Sequence, residues 1–159
     1  MSDISPGVGA APEGSRVIYH IHLDPQHSSL EVRACLPHVD PAQATLFLPV
    51  WTPGSYLVRE FARQLEAVEL LDDGIWRPCN KCRKNAWQLP VKAAGPVQVR
   101  YRLYAHELSV RTNYVSDSFA LLVGAATFLA HAPSLGLPHV VHLALPEAYA
   151  QALCALPAE

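Results

Sequence analysis

The chain of 159 residues carries 12 Lys and Arg against 14 Asp and Glu, and only 16% of its residues are charged. That balance leaves neither the basic footprint of a nucleic-acid binder nor a polybasic membrane anchor. No run of about 18 apolar residues occurs, and the opening MSDISPGVGAAPEGS has no basic start or apolar h-region, so a soluble, cytoplasmic chain is expected, with neither nucleic acid nor membrane among its partners.

A chain of this length can bury roughly 70% of its unfolded surface and needs no staples to fold. Residues 1–15, rich in Gly, Pro, Ser and Ala without periodicity, read as a flexible leader, and residues 16–159 as a single β domain. Val17, Tyr19, Ile21 and Leu23 alternate with Ile18, His20, His22 and Asp24, the pattern of a half-buried strand. Pro25 and Gln26 turn it into a second, with Leu30, Val32, Ala34 and Leu36 on one face, so the two pair as a hairpin that residues 37–41 close.

The sequence then concentrates aromatic, proline and glycine residues into residues 46–61, LFLPVWTPGSYLVREF, around which the rest is organised. Leu46, Phe47, Leu48 and Val50 form a short buried strand in which Pro49, lacking an N–H, interrupts pairing. Thr52, Pro53, Gly54 and Ser55 spell a type II turn: Pro53 presets the first central position and Gly54 tolerates the positive φ of the next. Trp51, Tyr56, Arg59 and Glu60 surround it. Burial statistics for Trp and Tyr favour a core-packing corner, and the same residue types suit a contact surface.

After a helical turn at residues 59–65, Val68 and Leu70 mark a strand leading into Asp72, Asp73 and Gly74, a strong hairpin signal. Trp76 and residues 87–89 continue the sheet, with a cysteine-bearing hairpin loop between them that clusters Arg77, Lys81, Arg83 and Lys84; it reads as a solvated loop, with a docking patch for an acidic partner surface as the alternative. Val97, Val99, Tyr101 and Leu103 give the clearest alternation, and further strands are expected at residues 119–123, 127–130 and 139–145. Residues 146–153, PEAYAQAL, read as a short C-terminal helix. About nine short strands with turn chemistry between them predict an all-β fold, an antiparallel β-sandwich or saddle-like sheet.

Chemistry within the chain is sparse. Cys79 and Cys82 form a CxxC without two further ligands at zinc-site spacing, and a reduced loop is the expectation. His106 and Glu107 open an HExxH-like string, yet Val110 stands where the second His belongs, and the segment alternates like a strand. His20 and His22 share a strand face without a third ligand; His131, His139 and His142 are scattered. No catalytic constellation and no metal site is read from these residues.

The segment WTPGSYLVREF at residues 51–61 resembles a motif in the N-terminal domain of the glycyl aminopeptidase family of zinc metallopeptidases. Lys84, Asn85, Ala86 and Trp87 are similar to that family's approach to a tryptophan, YRLYAHELSVR at residues 101–111 to its next strand, and GAATFL at 124–129 to the one following, with Val123 in place of the usual Asn. The likeness spans roughly residues 17–156. It implies a non-catalytic N-terminal domain whose zinc ligands and general base lie in a following thermolysin-like catalytic domain, often with a PDZ domain after it. Zinc is then a cofactor of that absent domain, and the partners are the catalytic domain and a peptide substrate. The resemblance further implies that Trp51, Tyr56, Arg59 and Glu60, with Arg111 and Tyr114, form the interdomain contact or wall the substrate cleft. A free-standing module binding peptide or carbohydrate, or a structural oligomerisation domain, are the alternatives.

Overall fold

The computed structural model describes residues 15–155 and 157; the leader expected at residues 1–15 therefore lies, but for Ser15, outside the described residues. Strands β1 (Val17–Asp24) and β2 (Ser29–Val39) pair as the expected hairpin, and β2 runs on through Pro37 to Val39. Their connection is a 3₁₀ turn, Pro25–His27, capped by Asp24, whose carboxylate accepts the His27 N–H at 3.2 Å. Next come β3 (Thr45–Phe47), β4 (Leu65–Asp72), β5 (Ile75–Pro78), β6 (Asn80–Arg83), β7 (Ala86–Gln88) and β8 (Gly95–Tyr104). The chain continues through β9 (His106–Ser109), β10 (Thr112–Val115), β11 (Ala120–Leu121), a one-turn helix α1 (Gly124–Thr127), β12 (Ala130–His131) and β13 (His139–Ala144). The protein is thus mainly β, as expected.

Three sheets result, with strand orders β13-β1-β2-β8-β4-β5, β11-β10-β9 and β12-β3-β7-β6. In the largest, the alternating residues Tyr19, Ile21, Leu30, Val32, Val99, Tyr101 and Leu103 all turn inward and are buried. They share one hydrophobic cluster with Leu46, Leu48, Trp87, Leu89, Val115 and Leu129 from the other elements, the packing of a sandwich. The opposite face carries charge. Arg100 pairs with Glu69 at 2.6 Å and lies over the Trp76 ring, and Arg102 pairs with Glu66 at 3.3 Å. Period-two alternation sorts the residues of β1, β2 and β8 to opposite faces, and on β4 a bulge between Glu66 and Glu69 returns both carboxylates to the charged face.

Local chemistry sets the turns. Asp73 and Gly74, both at positive φ, form the two-residue connection between β4 and β5 that the Asp-Gly signal specifies. Ala67 also has φ +51 and sits at a bulge, where the register of β4 on β8 shifts between Glu66 and Glu69.

Four expectations need correction. Residues 146–153 are not helical: a turn closed by the Tyr149 N–H on the Pro146 carbonyl is all that forms, because an eight-residue Ala-rich stretch has little stability unless a face packs. The helix is instead α1, between the strands expected at 119–123 and 127–130 and within residues 124–129, which the resemblance reads as a strand; the strands that form there are Ala120–Leu121 and Ala130–His131. The cysteine segment is not a loop, since Asn80–Arg83 pairs with β7 as the edge strand of its sheet. Pairing is not wholly antiparallel either: β13 runs parallel to β1, from Val17 opposite His139 to His22 opposite Ala144.

A candidate contact loop and the groove beside it

The organising stretch leaves the sheet at Leu48. There the Leu48 N–H donates to the Asn85 carbonyl at 2.9 Å, while the Asn85 side-chain amide donates back to the Leu48 carbonyl at 2.6 Å, so the loop root is pinned to the β6–β7 turn. The loop then closes on itself. The Arg59 N–H donates to the Val50 carbonyl at 2.6 Å, and the Ser55 N–H to the Thr52 carbonyl at 3.0 Å, with Gly54 at φ +86 as a type II turn requires. Trp51 Nε1 donates to the Ser55 carbonyl at 2.7 Å. The Ser55 hydroxyl donates to the Leu57 carbonyl at 2.9 Å and accepts from Arg59 Nε at 3.1 Å.

Ser55 is therefore the hub, a role that residue-type reasoning passed over; an ST-type turn following Pro-Gly was the available signal. Trp51 and Tyr56 are not core residues. Trp51 is 52% exposed, Tyr56 fully so, and Leu57 and Val58 stand out beside it, because the backbone hydrogen bonds that shape the loop also turn these side chains outward. Arg59 is half-buried and bonded to Ser55; Glu60 is exposed, and among the described residues the two form no ion pair with each other.

Arg111 and Tyr114 lie on the neighbouring three-stranded sheet. No hydrogen bond, ion pair or ring contact among the described residues joins them to the loop; the link is indirect, through Arg63 and Glu107 of β9 at 3.4 Å. Arg111 is exposed at the β9–β10 turn beside the exposed Leu108 and Val110, and Tyr114 packs on Phe119 with ring centroids 5.1 Å apart. Between the loop and the β6–β7 hairpin runs a groove of about 640 Å³, lined by Arg59, Glu60 and Arg63 on one side and Lys81, Arg83 and Lys84 on the other.

Other polar groups are structural. Asn113 is 4% exposed: its Oδ1 accepts the Val123 N–H at 2.8 Å and the Thr127 hydroxyl at 3.0 Å, and its Nδ2 donates to the Ala126 carbonyl at 3.3 Å. Sequence reading missed it, because no element is expected at residues 112–115 and a lone Asn carries no sign of burial. The Tyr101 hydroxyl donates to the Thr127 carbonyl at 2.9 Å and accepts the Leu129 N–H at 3.1 Å, and the Tyr19 hydroxyl donates to the Leu129 carbonyl at 2.9 Å. Burial pushes the Tyr19 hydroxyl up to about 12 and Tyr101 higher still, so both remain neutral.

His131 and Ser134 are 2.7 Å apart, and His131 Nε2 is 3.1 Å from the Gln43 carbonyl. Since a carbonyl only accepts, Nε2 carries the proton and Nδ1 accepts from Ser134. Both residues are buried, which keeps substrate from this pair, and burial holds His131 below the usual imidazole range. Burial, and then the nearby Glu69 charge, push the Cys79 thiol up to about 11, leaving it protonated and inert. Cys79 is half-buried against the core while Cys82 is exposed, and neither is in a disulfide. His106 and Glu107 lie on strand β9, the first bonded to Ser28 and the second to Arg63. His20 stacks on His142 across the parallel pair, but among the described residues no group of three or more His, Cys, Asp or Glu gathers to hold a metal ion.

The β-rich domain thus has a hydrogen-bonded, buried interior and one self-closed loop whose aromatic side chains face outward. The model of the Peptidase M61 N-terminal domain matches residues 18–159, and the chain belongs to that family. Among solved structures it is similar to an aminopeptidase N family protein from Idiomarina loihiensis, at 30% identity and a TM-score of 0.74. That similarity covers 83% of this chain but 22% of the other, so the chain spans about a fifth of that relative. A comparison with curated proteins finds no match.

Proposed function

We propose that the chain is the non-catalytic N-terminal domain of a zinc metallo-aminopeptidase with glycyl aminopeptidase-like preference, that residues 16–159 act as one domain, and that the face bearing Trp51, Tyr56, Arg59 and Glu60, continued by Arg111 and Tyr114, packs on the catalytic domain and walls its cleft. The observation that carries this is the exposure of Trp51, Tyr56, Leu57 and Val58 on a loop held rigid by its own hydrogen bonds. Exposed aromatic and aliphatic side chains on a preorganised loop are the usual anchors of an interface. Exposed Leu108 and Val110 beside Arg111 extend the same character to the β9–β10 turn.

An aminopeptidase must block one end of its cleft so that only a free amino terminus fits, and a rigid β domain supplies such a wall. Zinc belongs to the catalytic domain and not to this chain. We place the protein in the cytoplasm, which the thiols of Cys35, Cys79 and Cys82, none in a disulfide, support; among the described residues no helix is long and apolar enough to cross a membrane. In the full-length parent, Tyr56→Ala or Arg59→Ala should lower kcat/KM by about 10-fold or more, the scale of losing an aromatic or arginine anchor, while the isolated domain keeps its unfolding midpoint. Unchanged activity overturns the assignment.

A further inference from the structure

Charge is unevenly distributed over the chain. On the large sheet and its turns the cations are neutralised locally: Arg33 by Glu31, Arg77 and Lys92 by Asp72, Arg100 by Glu69, Arg102 by Glu66. In the groove they are not. Five of the 12 Lys and Arg line it, against the single carboxylate of Glu60. Among the described residues, Arg63 alone of the five has an acidic partner, Glu107, at a long 3.4 Å. Lys81 lies over the Trp87 ring, 4.9 Å from its centroid, and Arg59 bonds a hydroxyl; Arg83 and Lys84 project from an exposed strand end and turn.

Charged residues on an edge strand also serve to prevent unwanted pairing. That accounts for Lys81 and Arg83 on β6 but not for Arg59 and Arg63, which reach the same groove from a different element. Converging like charges repel unless an anion comes between them. The outer edge of β6 is unpaired among the described residues and offers backbone groups to an extended chain. Permanent interfaces are depleted of Lys, whereas a groove carrying two lysines suits a ligand that comes and goes. A volume of about 640 Å³ accommodates a few peptide residues.

We propose that this groove binds the carboxylates of acidic residues in the peptide substrate, downstream of its N-terminal residue, so that the parent peptidase favours acidic peptides. The inference rests on the cleft-wall reading, because Arg59 and Glu60 belong to both the loop and the groove. As a test, fluorescein-labelled alanyl-tetraglutamate and alanyl-tetraglutamine are titrated against this chain at low salt and followed by anisotropy. The glutamate peptide should bind at least about 10-fold tighter, a preference that Lys81→Glu/Arg83→Glu, or Lys84→Glu in the turn, abolishes and that Arg102→Glu, at a residue that does not line the groove, leaves within about 2-fold. Equal affinity for the two peptides, or equal loss with Arg102→Glu, overturns it.

In the full-length enzyme Lys81→Glu/Arg83→Glu should raise KM for the glutamate peptide alone. Loss on both peptides would mean that the cations seat the catalytic domain, and the proposal fails. The cleft-wall reading is scored separately, by Tyr56→Ala on the glutamine peptide, whose side chains make no demand on the groove cations.

Discussion

Removing the Asn113 side chain should unfasten α1. Asn113→Ala strips the Val123 N–H of its acceptor and the Ala126 carbonyl of its donor, while Thr127 keeps its second hydrogen bond, to the Val123 carbonyl at 2.8 Å. An orphaned, part-buried N–H costs about 1–3 kcal/mol and loss of the longer carbonyl bond about 0.5–1, so the variant should lose about 2–4 kcal/mol. At about 2–4 °C per kcal/mol for a chain of this size, Tm should fall by roughly 5–15 °C. Urea unfolding followed by Trp fluorescence measures this directly. Thr127→Val, which removes a single hydroxyl, should cost about 1 kcal/mol, and the double variant should cost less than the sum because both act on one network. A loss below about 0.5 kcal/mol for Asn113→Ala, or strict additivity, would refute the claim that Asn113 holds the helical turn in place.

Ala67→Gly should stabilise the protein by about 0.5–1 kcal/mol, since left-handed backbone disfavours a Cβ and the gain exceeds the added freedom of the unfolded chain; a lower Tm contradicts that. His131 is held below the usual imidazole range by burial, reinforced by His38 and opposed by its bond to Gln43. The unfolded imidazole therefore takes up a proton at higher pH than the folded one, so its stabilisation is complete above about pH 6.5 and is lost as pH falls below that value. Thermal unfolding at about pH 7.5 and about pH 5.5 should show the loss, and His131→Gln should flatten it. In a Cys35→Ser, Cys82→Ser and Cys154→Ser background, Cys79 should react with a disulfide reagent about 100-fold more slowly than an ordinary thiol, as the fall in thiolate from its raised pKa dictates; reaction at the ordinary rate would contradict its burial.

Local rules carried much of the fold. The alternation of Val17 to Leu23 and of Val97 to Leu103, the Asp73-Gly74 turn and the Pro53-Gly54 turn depend only on neighbours in sequence, and each forms where those rules put it. Where distant residues decide, sequence reading failed. The run after Val123 looks extended but is wound into a helical turn by Asn113, ten residues before it on another strand. Residues 146–153 have helical composition without an apolar face to pack, and Tyr149 is instead tied to the Ser116 carbonyl at 2.6 Å. Of the candidate surface, Pro53, Gly54 and the two aromatic residues were legible as a unit. Their exposure was not, because Trp and Tyr serve cores and surfaces alike and only the Ser55 hydrogen bonds decide which way they turn. Nor did sequence reading bring Arg59 and Arg63 to the same groove as Lys81 and Arg83, since that depends on the bond between Leu48 and Asn85.

The parallel pairing of β13 with β1 sets an order of events during synthesis. Strand β1 can form its hairpin with β2 as soon as the first forty or so residues emerge, yet its other flank must wait for residues 139–144, more than a hundred positions later. Until then a strand with the apolar residues Val17, Tyr19 and Ile21 exposes an unpaired edge, while the closure of so long a loop makes this the slow step. Nascent chains in which residues 139–144 have not yet emerged should therefore be the ones that recruit chaperones or pair with one another, and those in which they have emerged should not.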